Sequence, residues 1–130
     1  MLTKFLISCK QLYSVFAAQN SSVISLTEDN FHQSIAKGYV FVKFFVPWCE
    51  HCQKLAPKWV ALSEMLSNVK NFKMAEVDCS ESPALYDEIE LTSFPTLILF
   101  QDGHKLAEHK GPKELDSIYS FVKKYVKINQ

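Results

Sequence analysis

The stretch Tyr39-Val-Phe-Val-Lys-Phe-Phe-Val-Pro47-Trp-Cys49-Glu-His-Cys52-Gln-Lys-Leu-Ala-Pro57 changes its periodicity halfway along. Tyr39 to Val46 is an almost unbroken apolar run of strand length, which predicts a central strand buried on both faces. Pro47 ends it. From about Cys49 the apolar residues Leu55, Trp59, Leu62, Leu66 and Val69 step by four and three, the signature of one helical face. Pro57 falls inside that helix and should kink it, because proline removes a backbone donor and crowds the preceding turn. A Cys-x-x-Cys pair therefore stands where a buried strand gives way to a helix.

Working outward, Val23 to Leu26 reads as a short strand, and Thr27 as the N-cap of a helix ending near Gly38. Phe72 to Val77 is the next strand and Pro83 to about Ile89 a short helix. Thr96–Phe100 and Leu106–His109 flank Asp102-Gly103, a strong hairpin signal. A last helix from near Lys113 aligns Leu115, Ile118, Val122, Tyr125 and Val126 on one face. The order βαβαβαββα implies an α/β fold: a central mixed β-sheet flanked by helices on both faces.

With 130 residues, 48% of them hydrophobic and ten of them Phe, the chain suits one compact domain over residues 22–128. The 14 basic residues are all Lys and balance 14 acids. No basic block points to nucleic acid, and no apolar run is long enough for a membrane span. Residues 1–18 differ from the rest: Lys4 precedes a mostly apolar Phe5–Phe16 segment, and Ala17 and Ala18 offer a cleavage context. They read as a secretory signal peptide, the alternatives being an uncleaved helix or a linker fragment. Its removal takes Cys9 away and leaves Asn20-Ser21-Ser22 as a glycosylation triplet near the new terminus.

The positive end of a helix dipole and its free N–H groups favour a thiolate at Cys49, and the thiolate is the form that attacks disulfides. Cys52, one turn further in, should be more buried and able to close the ring and release a mixed disulfide. A zinc site would need four ligands; no second Cys-x-x-Cys exists, and His51 with Cys79 is a poor substitute, so no metal is assigned. An inert structural disulfide has no need of a strand–helix junction. Cys79 suits a small buried residue. His32, His104 and His109 fall on surface-type positions and carry no assigned role.

The segment Phe44-Phe-Val-Pro-Trp-Cys-Glu-His-Cys-Gln-Lys-Leu-Ala-Pro57, with Ser93-Phe-Pro-Thr96 downstream, resembles a catalytic domain of the protein disulfide isomerase family, within the thioredoxin superfamily. Glu76-Val-Asp-Cys79 and the ending from Leu106-Ala-Glu-His to Leu115-Asp-Ser look closest to the endoplasmic reticulum isomerases built of three thioredoxin repeats. The resemblance implies a thioredoxin fold, with Cys49 as attacking thiol and Cys52 as resolving thiol in one redox-active disulfide. It makes Pro95 the cis-proline facing the pair, leaving the Phe94 backbone to bind an extended substrate and Trp48 to form an apolar rim. His51 would stabilise the Cys49 thiolate and so the dithiol, making the pair more oxidising than a thioredoxin.

Several residues depart from the family pattern. Glu50 stands where the family usually has Gly, and a carboxylate there should oppose His51 unless it turns to solvent. Lys43 interrupts the central strand and Glu76 the neighbouring one, a charge-swapped version of the family's pair. They would manage the proton of Cys52, or form a structural ion pair, or let Lys43 snorkel outwards. Lys113 occupies the place of a family Arg that approaches the second cysteine, but lacks its planar fork and reads more simply as a solvated Lys.

The expected function is thiol–disulfide oxidation and isomerisation in the endoplasmic reticulum lumen or outside the cell, by a monomer needing no cofactor. Partners would be unfolded or partly folded cysteine-containing proteins and an upstream thiol oxidase. The ending Lys127-Ile-Asn-Gln130 differs from a Lys-Asp-Glu-Leu tail, which leaves secretion, retention through a partner, or a truncated or divergent single-repeat member. The rival readings are a thioredoxin-like reductase and a non-enzymatic adaptor with the same fold.

Overall fold

The computed structural model describes residues 22–128; the signal-peptide reading of residues 1–18, Cys9 and the Asn20 triplet lie outside them. The elements are β1 (Val23–Leu26), α1 (Phe31–Ile35), β2 (Tyr39–Phe45), α2 (Glu50–Met65), β3 (Phe72–Asp78), α3 (Pro83–Glu88), β4 (Thr96–Gln101), β5 (His104–His109) and α4 (Leu115–Tyr125). They form one five-stranded sheet in the order β1-β3-β2-β4-β5. The β1–β3 and β2–β3 ladders are parallel, while β2–β4 and β4–β5 are antiparallel. The sheet is thus mixed, as the order of periodicities implies.

Strand alternation divides the core into two layers. Val40, Val42 and Phe44 of β2 join Ile98 and Phe100 of β4 in a layer closed by Phe31 and Ile35 of α1 and Leu85 of α3. Phe41 joins Leu97 and Leu99 in the opposite layer, closed by Leu55, Trp59 and Leu62 of α2 and Ile118 and Val122 of α4. Trp59 is fully buried and its Nε1–H donates to the Ala75 carbonyl at 3.2 Å, which fixes α2 against β3. The same alternation puts Lys43, two residues after Phe41, on the α2 face.

Some local expectations need correction. Thr27 caps the turn that precedes α1, its Oγ1 accepting the Asp29 N–H at 3.3 Å, while Asn30 holds the N-cap position of the helix itself. The Thr27 carbonyl accepts from the N–H groups of Asn30 and Phe31, and its own N–H is taken by Asn30 Oδ1 at 2.8 Å. A turn therefore occupies residues 28–30, and the helix begins only at Phe31. In α4, Phe121 is buried, whereas Tyr125 is 40% exposed. His109 is buried, not at the surface: its Nε2 lies 2.8 Å from the Pro112 carbonyl and its ring packs on Phe121. The hairpin strands are longer than the sequence suggests. Asp102 and Gly103 both take positive φ (49° and 87°), so a two-residue turn carries the ladder up to Gln101 and from His104. Pro57 sits within α2, which continues through it to Met65.

Candidate active site

Cys49 is the N-cap of α2, with extended backbone angles (φ −80°, ψ 121°) where a helical residue would leave its side chain outside the first turn. From there its Sγ accepts the backbone N–H of Cys52 at 3.2 Å. One of the unpaired N–H groups that open a helix is thereby aimed at sulfur, an arrangement that favours negative charge on it. The expectation of a helix from about Cys49 agrees with this: Cys49 is the N-cap and Glu50 the first helical residue. Cys49 Sγ also lies 3.9 Å from the Phe94 carbonyl, and the Phe94–Pro95 bond is cis. The Ser93–Thr96 loop and the cysteine pair, more than forty residues apart, therefore meet at one end of the sheet.

Cys49 is half-buried and Cys52 buried, both as free thiols. Burial pushes the Cys52 thiol up to about 11 from 9.0, and the neighbouring Cys49 adds to the rise; the Val46 backbone and the charge of Lys43 act against it. Such a group needs an outlet for its proton before it can attack.

Lys43 and Glu76 are paired across β2 and β3 and form an ion pair of 3.3 Å. The Lys43 side chain is only 4% exposed and its Nζ also lies 4.8 Å from the Phe45 ring, so it does not snorkel outwards. Both residues line a cavity of about 170 Å³ together with Pro47, Cys52 and Ala56. That cavity joins Cys52 to the half-exposed Glu76 and is large enough for water.

The other candidates divide. Trp48 is 72% exposed beside Cys49, available as a rim. Glu50 turns to solvent and pairs with Lys54 at 3.3 Å. His51 and Lys113 line a separate depression with Pro95, rather than the cavity at Cys52. Lys113 Nζ donates to its own loop's Gly111 carbonyl at 3.2 Å. Cys79 is buried at the end of β3, its thiol raised to about 11 by burial and then by Asp78. It shares a core layer against which Cys49 and Phe94 also pack.

Sequence reasoning missed Lys54, Lys58 and Glu114 near the site. Lys58 of α2 pairs with Glu114 at 2.9 Å across 56 positions, a non-local contact that no local pattern announces. It also missed Gln53, whose side-chain amide donates to the Pro47 carbonyl at 2.8 Å and ties the strand's end to α2.

A mixed sheet with a Cys-x-x-Cys helix start facing a cis X-Pro bond defines the thioredoxin class, and the Thioredoxin family model matches residues 22–124. Thioredoxin domain-containing protein 5 homolog of Drosophila melanogaster is 36% identical over 106 residues, 82% of this chain but 26% of that protein. Protein disulfide isomerase-like 5-1 of Oryza sativa subsp. japonica is 34% identical over 113 residues, covering 85% of this chain and 77% of its own length. Human ERp44 shares the fold, with a TM-score of 0.73 at 23% identity over 80% of this chain and 29% of that one. The chain belongs to the protein disulfide isomerase family of the thioredoxin superfamily. It spans about a quarter of the length of the fly relative and about three quarters of the rice one.

Proposed function

We propose that this chain is a thiol–disulfide oxidoreductase and isomerase acting on cysteine-containing clients of the secretory pathway. The observation that carries the reading is the Cys49 sulfur set on the opening turn of α2, with the Cys52 N–H directed at it and Phe94 beside it. In the reductive direction the Cys49 thiolate attacks a client disulfide; a mixed disulfide forms and one client sulfur leaves as thiolate. Cys52 then loses its proton and attacks Cys49 Sγ. The intramolecular disulfide closes, the second client thiol departs, and two electrons have passed from the pair to the client. Oxidation of a client dithiol is the reverse, and isomerisation stops at the mixed disulfide while client sulfurs exchange. No separate cofactor enters, and an upstream thiol oxidase returns the pair to its disulfide.

Glu76 takes the Cys52 proton through water in the 170 Å³ cavity, while the charge of Lys43, paired with Glu76 at 3.3 Å, favours the Cys52 thiolate. Trp48, Phe94 and Pro95 form the surface on which an extended client segment lies. His51 stabilises the thiolate of Cys49 and Glu50 tempers that effect. Residues 1–18 act as the signal peptide and residues 22–128 as a monomeric domain, delivered to the endoplasmic reticulum lumen or secreted.

Replacing Cys52 by Ala stalls the reaction at the mixed disulfide and tests the reading in cells. The expected result is a set of reducible adducts on Cys49 made of secretory cysteine-containing proteins and a thiol oxidase. Adducts that persist in the Cys49→Ala, Cys52→Ala double variant, or none at all, sink the reading.

A further inference from the structure

Beside the reactive cysteine lies a depression of about 350 Å³ whose charge runs against that of the domain. Residues 22–128 carry 12 Lys and 14 acidic residues. Yet His51, Lys54 and Lys58 of α2 line one wall of this depression, Lys113 another, and Ser93–Pro95 its end, with Glu114 as the one acidic member. The acids nearby do not cancel the bases. Glu114 is engaged by Lys58 at 2.9 Å, and Lys54 is paired with Glu50, outside the lining, at 3.3 Å. Lys113 has no acidic partner among the described residues; its Nζ donates only to the Gly111 carbonyl. One uncompensated ammonium and the His51 ring therefore face the space next to Phe94, whose carbonyl lies 3.9 Å from Cys49 Sγ.

We infer that this groove selects acidic side chains in the client segment adjoining the cysteine that exchanges with Cys49. The inference rests on the oxidoreductase reading and adds its substrate preference. A client sulfur bonded to Cys49 must lie against the Phe94–Pro95 edge, and the chain leaving it on the α2 side runs into the groove. A carboxylate there meets Lys113, the lining ammonium that has no acidic partner among the described residues. A lysine there adds a like charge to a concave surface that already carries Lys113. Concave surfaces lined by one sign of charge raise the local concentration and association rate of the opposite sign. The preference therefore acts on encounter and is screened by salt.

The test uses the full chain with its cysteine pair oxidised and three dithiol peptides that differ only in residues two to four places from the cysteine: all Glu, all Gln or all Lys. Each rate is divided by the rate of the same peptide with uncharged hydroxyethyl disulfide, which removes the effect of flanking charge on the peptide's own thiol. The expected order is Glu, Gln, Lys, with about fivefold between the first and last at low ionic strength, collapsing in about 0.5 M salt. Lys113→Gln should flatten the order and Lys113→Glu reverse it; should the latter fail to fold, Lys54→Glu replaces it. A cysteine-free form of the Glu peptide, its cysteines replaced by Ser, should shift the amide resonances of His51, Ser93 and Lys113. Equal normalised rates for the three peptides, or shifts confined elsewhere, overturn the inference. If no peptide is oxidised while the cysteine-free peptide still marks the groove, the oxidoreductase reading fails and the acidic-peptide groove stands.

Discussion

Lys43 and Glu76 face one another across β2 and β3 with Nζ 3.3 Å from Oε1, and the cation is the buried member: the Lys43 side chain is 4% exposed and that of Glu76 is 28%. The two partners are therefore not equivalent. Glu76 can exchange protons with water, whereas Lys43 relies on Glu76 to balance a charge held under α2 beside Cys52.

Removing the carboxylate should slow the resolving step. With the Cys52 thiol at about 11, few molecules are ionised at neutral pH unless a nearby base accepts the proton. Glu76→Gln should lower the rate of Cys52 attack on a preformed Cys49 mixed disulfide by about tenfold near pH 7. The deficit should shrink as pH rises towards 11, because hydroxide then does the same work. Quenched-flow release of the client thiol between pH 6 and 10 measures both. A rate and pH profile equal to wild type would exclude the proton role.

The same asymmetry predicts an order of stabilities. Glu76→Ala strands a buried ammonium, while Lys43→Met leaves a carboxylate that can turn to water. Glu76→Ala should cost about 2 kcal/mol, below the range for fully buried pairs because Glu76 is part-exposed, and Lys43→Met should cost less. Urea unfolding of the two variants at pH 7 decides; the reverse order refutes the assignment of Lys43 as the dependent partner.

Much of this site is legible in the sequence, since it depends on a change of period within one continuous segment. The apolar run from Tyr39, the break at Pro47 and the step of Leu55, Trp59 and Leu62 fix β2 and α2 without help from distant residues. Lys43 stands out as a charge in an otherwise apolar strand, but β3 also carries Lys73 and Asp78, so it is the family resemblance that pairs Lys43 with Glu76. What stayed hidden is decided by contacts between remote segments. Asn30 holds the N-cap position of α1 with its side chain bound back to the Thr27 N–H, and Glu28 is drawn to another segment. Its N–H donates to Ser82 Oγ and its carboxylate accepts from the Ala84 N–H, opening α3 rather than α1. His109 looks like a surface residue on an edge strand until Phe121 and the Pro112 carbonyl cover it. The basic groove depends on loops at residues 93–95 and 111–114 reaching α2, which no local pattern encodes.

Two buried thiols should make the reduced protein sensitive to alkali. Cys52 and Cys79 both rise from 9.0 to about 11, so between these values the unfolded chain has released protons that the folded chain still holds. Stability then falls as pH rises through that window, and the full contribution is present below about pH 9. Each thiol should account for about 2 kcal/mol of the loss. Urea unfolding of the reduced protein from pH 8 to 10.5 should show the decline, and Cys79→Ala should remove roughly half of the slope. A slope unaltered by Cys79→Ala places the titration elsewhere.

Gly38 is the backbone hinge on which β2 begins. Its φ is +72°, its N–H donates to Asp102 Oδ1 at 2.8 Å, and an added Cβ would lie 2.7 Å from Asn71 Oδ1 and 3.0 Å from the Asn71 carbonyl. Gly38→Ala combines left-handed strain with that collision and should cost about 2 kcal/mol or more. Thermal unfolding measures it; a variant as stable as wild type would mean that the turn rearranges freely.

The charge beside Cys49 gives the last prediction. A carboxylate at position 50 disfavours the thiolate and hence the dithiol form, so Glu50→Gly should make the pair more oxidising. The effect should be small, because the Glu50 and Lys54 side chains are 79% and 69% exposed and already paired at 3.3 Å. An exposed pair of this kind shifts a two-electron potential by about 10 mV. Lys54→Ala frees the carboxylate and should move the potential the other way by a similar amount, and the double variant should return to the Glu50→Gly value. Equilibration of each variant against glutathione buffers gives the potentials. An unchanged or lower potential in Glu50→Gly would show that the carboxylate does not reach the Cys49 sulfur through the solvent around it.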